Sequence, residues 1–480
     1  VAQLNASELI EDHALSAVPA EERQSWVALS WNTAGLVTTL VQLFFGALVA
    51  FTAGLKIALL AGVTVTVVGA ALGWLVGHVG YKSGLSSTVL ARQYGFGLRG
   101  SAVASVIFGF MIIGFLALEN AILYKGVLLY FAMDDTLGNA ILVYGLFSVA
   151  WILLTTYGFG LLTRVSSLTL ILFLLVLAYL GWKIVSAAGL QAGQLLGFGA
   201  QLPSAVLATM GAESAIGKFA FAVNILIGSA GALALVDADL GRYARRSADI
   251  GIAAIIGNVF MDIVIVAIGG VVMYAATPTL TDFYMHSRGV TVAEAQTIVL
   301  GSPDSVAAVF IVFGGIVGTA LMFLAQAKAQ VINTYSASLS LSNLGAVLLG
   351  RNLGRLTWVI IANLIGLVLL YGQILALVNA YITLLGILTT AFAGLIIADF
   401  YIVRRGRPAE AGDPIAAVNW PGIVTIVAAP LVSIYLMGNI VPIKFVTTLA
   451  VTLVLYPLLT GLAARSLPAI PVPTAGAGDV

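Results

Sequence analysis

Residues 108–130 read FGFMIIGFLALENAILYKGVLLY, an apolar run with a carboxylate and an amide, Glu119 and Asn120, near its middle. About 20 apolar residues in a helix cross the ~30 Å hydrocarbon layer of a bilayer. In that layer each backbone polar group must find its partner within the segment, so the run is predicted to be helical. Runs of this kind recur along all 480 residues, and only 9% of the chain is charged against roughly 25% in soluble domains. The chain is therefore predicted to be an all-α polytopic membrane protein.

Twelve spans are expected, at about 26–50, 56–79, 108–130, 137–157, 161–185, 215–235, 250–275, 306–341, 356–371, 373–401, 423–436 and 443–462. The polar segment 277–305 is expected over one face of the protein, with a loop helix leading into the eighth span. Loops after the even-numbered spans hold Lys82, Arg92, Arg99, Arg164, Arg242, Arg245, Arg246, Arg351, Arg355, Arg404, Arg405 and Arg407. The opposite loops hold only Lys56, Lys183, Lys218, Arg288 and Lys444. Positive charge stays on the cytoplasmic side, so both termini are expected there, in the inner membrane. Residues 1–25 are polar and acidic, which suits a cytoplasmic tail better than a signal peptide. The Pro- and Gly-rich stretch 465–480 is expected to be a flexible tail.

Spans 1 and 6 carry signs of a broken helix. The first has Asn32, Thr33, Thr38, Thr39 and Gln42 followed by FFGA, and the sixth has Gly228-Ser229-Ala230-Gly231. Helices broken near the midplane open each half of many inverted-repeat transporters. The expected division is a first repeat over 26–190, a second over 211–401, and two extra spans within 421–464.

Ionisable groups at membrane depth mark substrate or ion pathways. Two are placed here: Glu119 in the third span and Lys328, which interrupts LMFLAQAKAQVINTY in the eighth. One acid and one base in lipid-spanning segments point to a transporter. Gln42 lies beside the expected break, Gln330 and Asn333 share the Lys328 helix, and Gly228 and Ser229 are offered as contacts where span 6 opens; Asn224 is a weaker candidate. Asp262 is expected to hydrogen-bond a neighbouring helix, and Asp237, Asp239, Arg242, Arg245 and Arg246 to form interfacial salt bridges. No enzyme signature is present, and the chain has no cysteine and three scattered histidines, so no cofactor or metal is expected. Near-zero net charge leaves no footprint for nucleic acid.

The connector 80–101, GYKSGLSSTVLARQYGFGLRGS, resembles the signature loop of nucleobase–cation symport family 1, the cytosine, purine, allantoin and hydantoin permeases. ADLGRYARRSAD at 238–249, LIIADFYIVRR at 395–405 and VNWPGIV at 418–424 follow in the family's order, and the resemblance covers about residues 25–460. It implies a LeuT-like fold of 5+5 inverted repeats plus two helices, with a flat heterocycle held between spans 1, 3, 6 and 8 and imported with a cation. It places Phe115 where the family stacks an aromatic on the ring, and Glu119 where an amide can hydrogen-bond it. The two are i and i+4, on one helix face. Where sodium-dependent members supply oxygen ligands, this chain has Ala325, Lys328 and Ala329, a set unsuited to sodium. The expectation is that the Lys328 ammonium replaces the ion and that coupling is to protons or absent, with Glu119 as a second proton carrier. The alternatives are a static Glu119–Lys328 ion pair, an amino-acid or polyamine transporter of the same fold, and a channel.

Overall fold

The computed structural model describes residues 17–157, 159–350, 353–409 and 415–466, the side chains at 157, 159–169, 321, 325, 328 and 464–466 aside. Its main helices are α1, in two pieces, Trp26–Val37 and Leu40–Ala53; α2, Leu55–Ser83; α3, Ser101–Phe131; α4, Leu137–Tyr157; α5, Phe159–Ala188; and α6, Ala215–Gly241. Then come α7, Ser247–Arg288; α8, Asp304–Leu349; α9, Arg355–Tyr371; α10, Val378–Val403; α11, Trp420–Leu436; and α12, Lys444–Ser466. Eight of these helices are long and apolar enough to cross a membrane, or up to ten spans if each of two bent pairs counts as one. Two shorter apolar helices, α9 and α11, lie where the ninth and eleventh spans were expected.

The core is made of helices apolar on every side. In α3, α6 and α10 the most apolar 18-residue stretch is 78% buried in protein, against 22% in α4 and 28% in α5 and α12, which leave most of theirs for lipid. Close contact within this core depends on small residues, as is usual between membrane helices. A Cβ on Gly77 of α2 would lie 2.6 Å from Ile250 of α7, and one on Gly241 of α6 would collide with the Gly77 carbonyl.

Several expectations need correction. The sixth span is not broken: α6 is one helix from Ala215 to Gly241. The break in α1 falls at Thr38–Thr39, with a 68° bend, rather than at the glycine of FFGA. The seventh helix runs beyond the expected 275, because α7 continues through Pro278 to Arg288, while the loop helix expected before the eighth span is present. A loop helix, Val292–Gly301, meets the start of α8 at 104°, and α8 itself kinks at Gly315, whose φ is 53°. That loop helix starts in a capping box, where hydrogen bonds from Thr291 hold the exposed Glu294 carboxyl below its usual range. The tenth helix starts at Val378 and not at 373, since Gln373 takes a left-handed φ of 56°.

Candidate functional site

The bend in α1 builds the site. At Thr38 the backbone leaves the helical region (φ −93°, ψ 73°), and its hydroxyl donates back to the Ala34 carbonyl at 2.5 Å. Thr39 then caps the second piece, its hydroxyl oxygen accepting from the Gln42 N–H at 3.4 Å. Backbone groups freed at the bend thus find side-chain partners, the condition for a break at membrane depth. The bend also lets Gln42 reach α6, where its Nε2 donates to Ser229 Oγ at 3.1 Å.

Across from α1, Glu119 of α3 is buried, and Asn333 of α8 donates from Nδ2 to Glu119 Oε2 at 3.4 Å. The Thr39 hydroxyl also interacts with Glu119. A run of polar side chains, Ser229, Gln42, Thr39, Glu119 and Asn333, therefore joins α6, α1, α3 and α8. Four of the five, all but Thr39, line a hollow of about 60 Å³, whose other walls include Phe115, Met111, Val236 and Met261. Phe115 is held edge-on by Tyr381 of α10, ring centroids 6.1 Å apart at 85°, and Tyr381 is fixed by donating to the Met111 carbonyl at 2.8 Å. Tyr381 drew no notice in the sequence, since no motif singles out one tyrosine of sixteen.

Of the residues singled out beforehand, Gln42, Phe115, Glu119, Ser229 and Asn333 meet at this hollow. Gln330 does not: it faces α3, donating from Nε2 to the Leu116 carbonyl at 3.4 Å. Gly228 is also absent from the walls, because its face of α6 packs on α10, where a Cβ would lie 2.5 Å from the Ile382 carbonyl. Asn224 ties α6 to α12, donating to Pro442 O and accepting from Lys444 N. Asn120, next to Glu119 but roughly 100° around the helix, accepts from the Trp151 indole of α4 at 2.9 Å. The Lys328 side chain, like that of Ala325, lies outside the described residues.

The charged residues expected at interfaces divide into two groups. Arg246 pairs with Asp249 at 3.3 Å, and Asp239 accepts from the Ser87 N–H at 2.6 Å. Asp237, expected in an interfacial salt bridge, and Asp262, expected to hydrogen-bond a neighbouring helix, depart from expectation: both are fully buried, and no carboxylate oxygen of either has a hydrogen-bond partner among the described residues.

Two further regions lie above and below the hollow. On one side is a cleft of about 720 Å³ between the ends of α3, α8 and α10, sharing no lining residue with the hollow. Tyr124, Lys125 and Asp135 form one cluster there, and Arg288 pairs with Asp304 at 3.2 Å. Burial would raise the Asp135 carboxyl, but donors from Lys125 and Tyr124 and the Arg288 charge hold it below its usual range. On the other side Asp399 binds Arg404, Tyr456 and the Gly95 N–H, closing α10 against α12 and the 80–101 connector.

The backbone matches that of Mhp1 in its inward-facing conformation with a TM-score of 0.72, at 18% identity over 96% of this chain and 95% of that one. Mhp1 described as a nucleobase-cation-symport-1 family transporter, closed on bromovinylhydantoin, matches at 0.69 and 18% over 96% and 97%. A Na⁺-coupled sialic acid symporter matches at 0.58 and 13% over 96% and 93%. These likenesses establish the LeuT-like fold. No curated protein sequence matches the chain. Residues 17–461 match the family of permeases for cytosine/purines, uracil, thiamine and allantoin, and the chain belongs to that family: a nucleobase-type membrane transporter, not an enzyme.

Proposed function

We propose that the protein imports a nucleobase or a related planar heterocycle by alternating access, across an inner membrane with both termini in the cytoplasm. The observation that carries this reading is the hollow where Phe115, Glu119, Asn333, Gln42 and Ser229 converge at the bend in α1. An aromatic face beside amide, hydroxyl and carboxylate groups suits a flat ring with donors and acceptors on its edge. Phe115 stacks on the ring, Glu119 accepts from an exocyclic amine or ring N–H, and Gln42 and Asn333 orient the rest. A carboxylate acceptor favours donor-rich rings such as cytosine, adenine or guanine. The hollow is much smaller than the roughly 300–1,000 Å³ of ligand clefts, so α3 and α8 move apart from α1 and α6 to admit the ring.

Coupling is to protons and independent of sodium. Ala325 and Ala329 supply no side-chain oxygen on α8, and the Lys328 ammonium takes the place of the sodium ion. Family membership does not favour the amino-acid or polyamine reading. Uptake of radiolabelled cytosine, adenine, guanine, uracil and allantoin into proteoliposomes tests the proposal. Accumulation of one or more under an inward proton gradient without sodium is expected. A strict sodium requirement overturns the replacement by Lys328, and failure to carry any base overturns the substrate class.

A further inference from the structure

Asp237 of α6 and Asp262 of α7 are 0% exposed, and all four of their carboxylate oxygens lack a hydrogen-bond partner among the described residues. Asn258 of α7 is equally buried; its Nδ2 donates to the Ala254 carbonyl, and its Oδ1 has no partner. Asp237 and Asn258 turn their side chains to the glycine edge of α2, and Asp262 meets that edge through its backbone. Asp237 Oδ2 occupies the space where a Cβ on Gly73 would stand, Asn258 Oδ1 that of Gly69, and the Asp262 backbone carbonyl that of Gly62. Those glycines are four and seven residues apart, about 6 and 10 Å along the helix axis. Asp262 also lies in a π turn, Val259–Ile265, an irregularity that often marks functional sites. Along the chain each acid follows a residue of the hollow's wall, Val236 before Asp237 and Met261 before Asp262.

We propose that Asp237, Asn258 and Asp262 form a proton-carrying seam between α2, α6 and α7 that binds and releases the coupling proton. This rests on the proton-coupled reading above. An ionised carboxylate with no cation and no donor is expensive to bury, whereas each acid that takes a proton from water gains an O–H bond and a donor. Asn258 Oδ1, without a partner among the described residues, leaves an acceptor open on the same edge. The proton returns to water when the helices separate.

Lys56, at the start of α2, is exposed, and the other charged and titratable groups near the seam on the surrounding elements are engaged elsewhere. On α2, His78 bonds Ser247 and Lys82 lies over Tyr81; Asp239 of α6 accepts from the Ser87 N–H, and Arg242, just past its end, lies over the Tyr243 ring. Asp249 of α7 holds Arg246, Asp399 of α10 holds Arg404, and Arg92 binds Asn343. Residues 26–53 of α1 carry no charge. No described charge interacts with Asp237 or Asp262.

Infrared spectroscopy of the full-length protein in proteoliposomes reads the seam directly, through the carbonyl stretch of a protonated carboxylic acid. In an E119Q background that band is expected in mildly acidic buffer, reduced by either D237N or D262N, and lost in alkaline buffer. A background without the band, or a band that both variants leave unchanged, overturns the seam, whether or not the protein carries a base. In the second measurement, radiolabelled cytosine is accumulated under an imposed proton gradient in the otherwise native protein, with cytosine exchange at equilibrium alongside. D237N and D262N are each expected to lose roughly tenfold in accumulation while keeping exchange. Undiminished accumulation in both variants overturns the coupling role. If the native protein moves no base, the proposed function fails and the infrared result still decides the seam.

Discussion

Helices α1 and α6 hold matching places in the two repeats, yet one is bent by 68° and the other is continuous. The glycine signal was stronger in α6, where Gly228 and Gly231 lie a turn apart, than in α1, where the bend passes through Thr38 and Thr39. What separates them is where backbone and glycine find partners. At the α1 bend the two threonine hydroxyls serve the Ala34 carbonyl and the Gln42 N–H. Along α6 the glycines face Ile382 and Thr389 of α10, so they serve close packing and the hydrogen-bond ladder stays whole. Glycine costs a membrane helix about 1 kcal/mol of propensity, too little to break it when a neighbour packs against the exposed backbone.

The contrast can be broken at four points. The largest effect is expected from Glu119→Gln, which removes the carboxylate that the bend in α1 brings to Thr39. A charged hydrogen bond is worth about 2 kcal/mol, so base binding should weaken roughly 30-fold, as measured by isothermal titration or scintillation proximity. Unchanged affinity across a panel of bases would remove Glu119 from the site. Gly228→Val drives a branched side chain into Ile382 and should lower stability by about 1–3 kcal/mol, read as a lower unfolding temperature in detergent. If this variant keeps its stability and loses binding instead, α6 opens after all and the packing account is wrong.

Thr39→Ala removes the cap of the second α1 piece and should lower stability by about 1 kcal/mol, with a parallel loss of affinity because Gln42 is no longer positioned. Equal affinity in this variant would separate the bend from the site. The smallest effect belongs to Asp135 on the outer cleft, away from both helices. Its carboxyl is held below the unfolded value, so its stabilisation is present above that value and is lost as pH falls through the depressed folded one. Half-exposed pairs of this kind contribute under ~1 kcal/mol. Asp135→Asn should therefore flatten the acid limb of a stability–pH curve slightly and leave base affinity alone; a shift in affinity would extend the site into the cleft.

Residue chemistry at membrane depth made much of the hollow legible. Glu119 and Asn333 are polar within lipid-spanning segments and were visible for that reason, whereas Gln42 and Ser229 were marked by the expected breaks in α1 and α6. Phe115 came from the family resemblance, and its i, i+4 relation to Glu119 puts it on the same helix face. The same reasoning could not tell Gln330 from Asn333, three residues apart on one helix, because which of them faces the hollow depends on how α8 is rotated against α3. It also gave Asp237 and Asp262 partners that neither has among the described residues. Distance to a donor is a property of neighbouring helices, not of the segment that carries the acid.

By itself the sequence determined the medium and the element type, because a bilayer forces every apolar run of sufficient length to close its own backbone hydrogen bonds. Four ordered motifs determined the family. Only tertiary structure decided where a helix bends, which glycines are contacts and which buried acids lack a partner among the described residues. The glycine contacts and the buried acids depend on helices far away in the chain, Ile382 for Gly228 and the bare edge of α2 for Asp237, and the bend, held by its own threonines, acquires its role only when Gln42 meets Ser229 of α6.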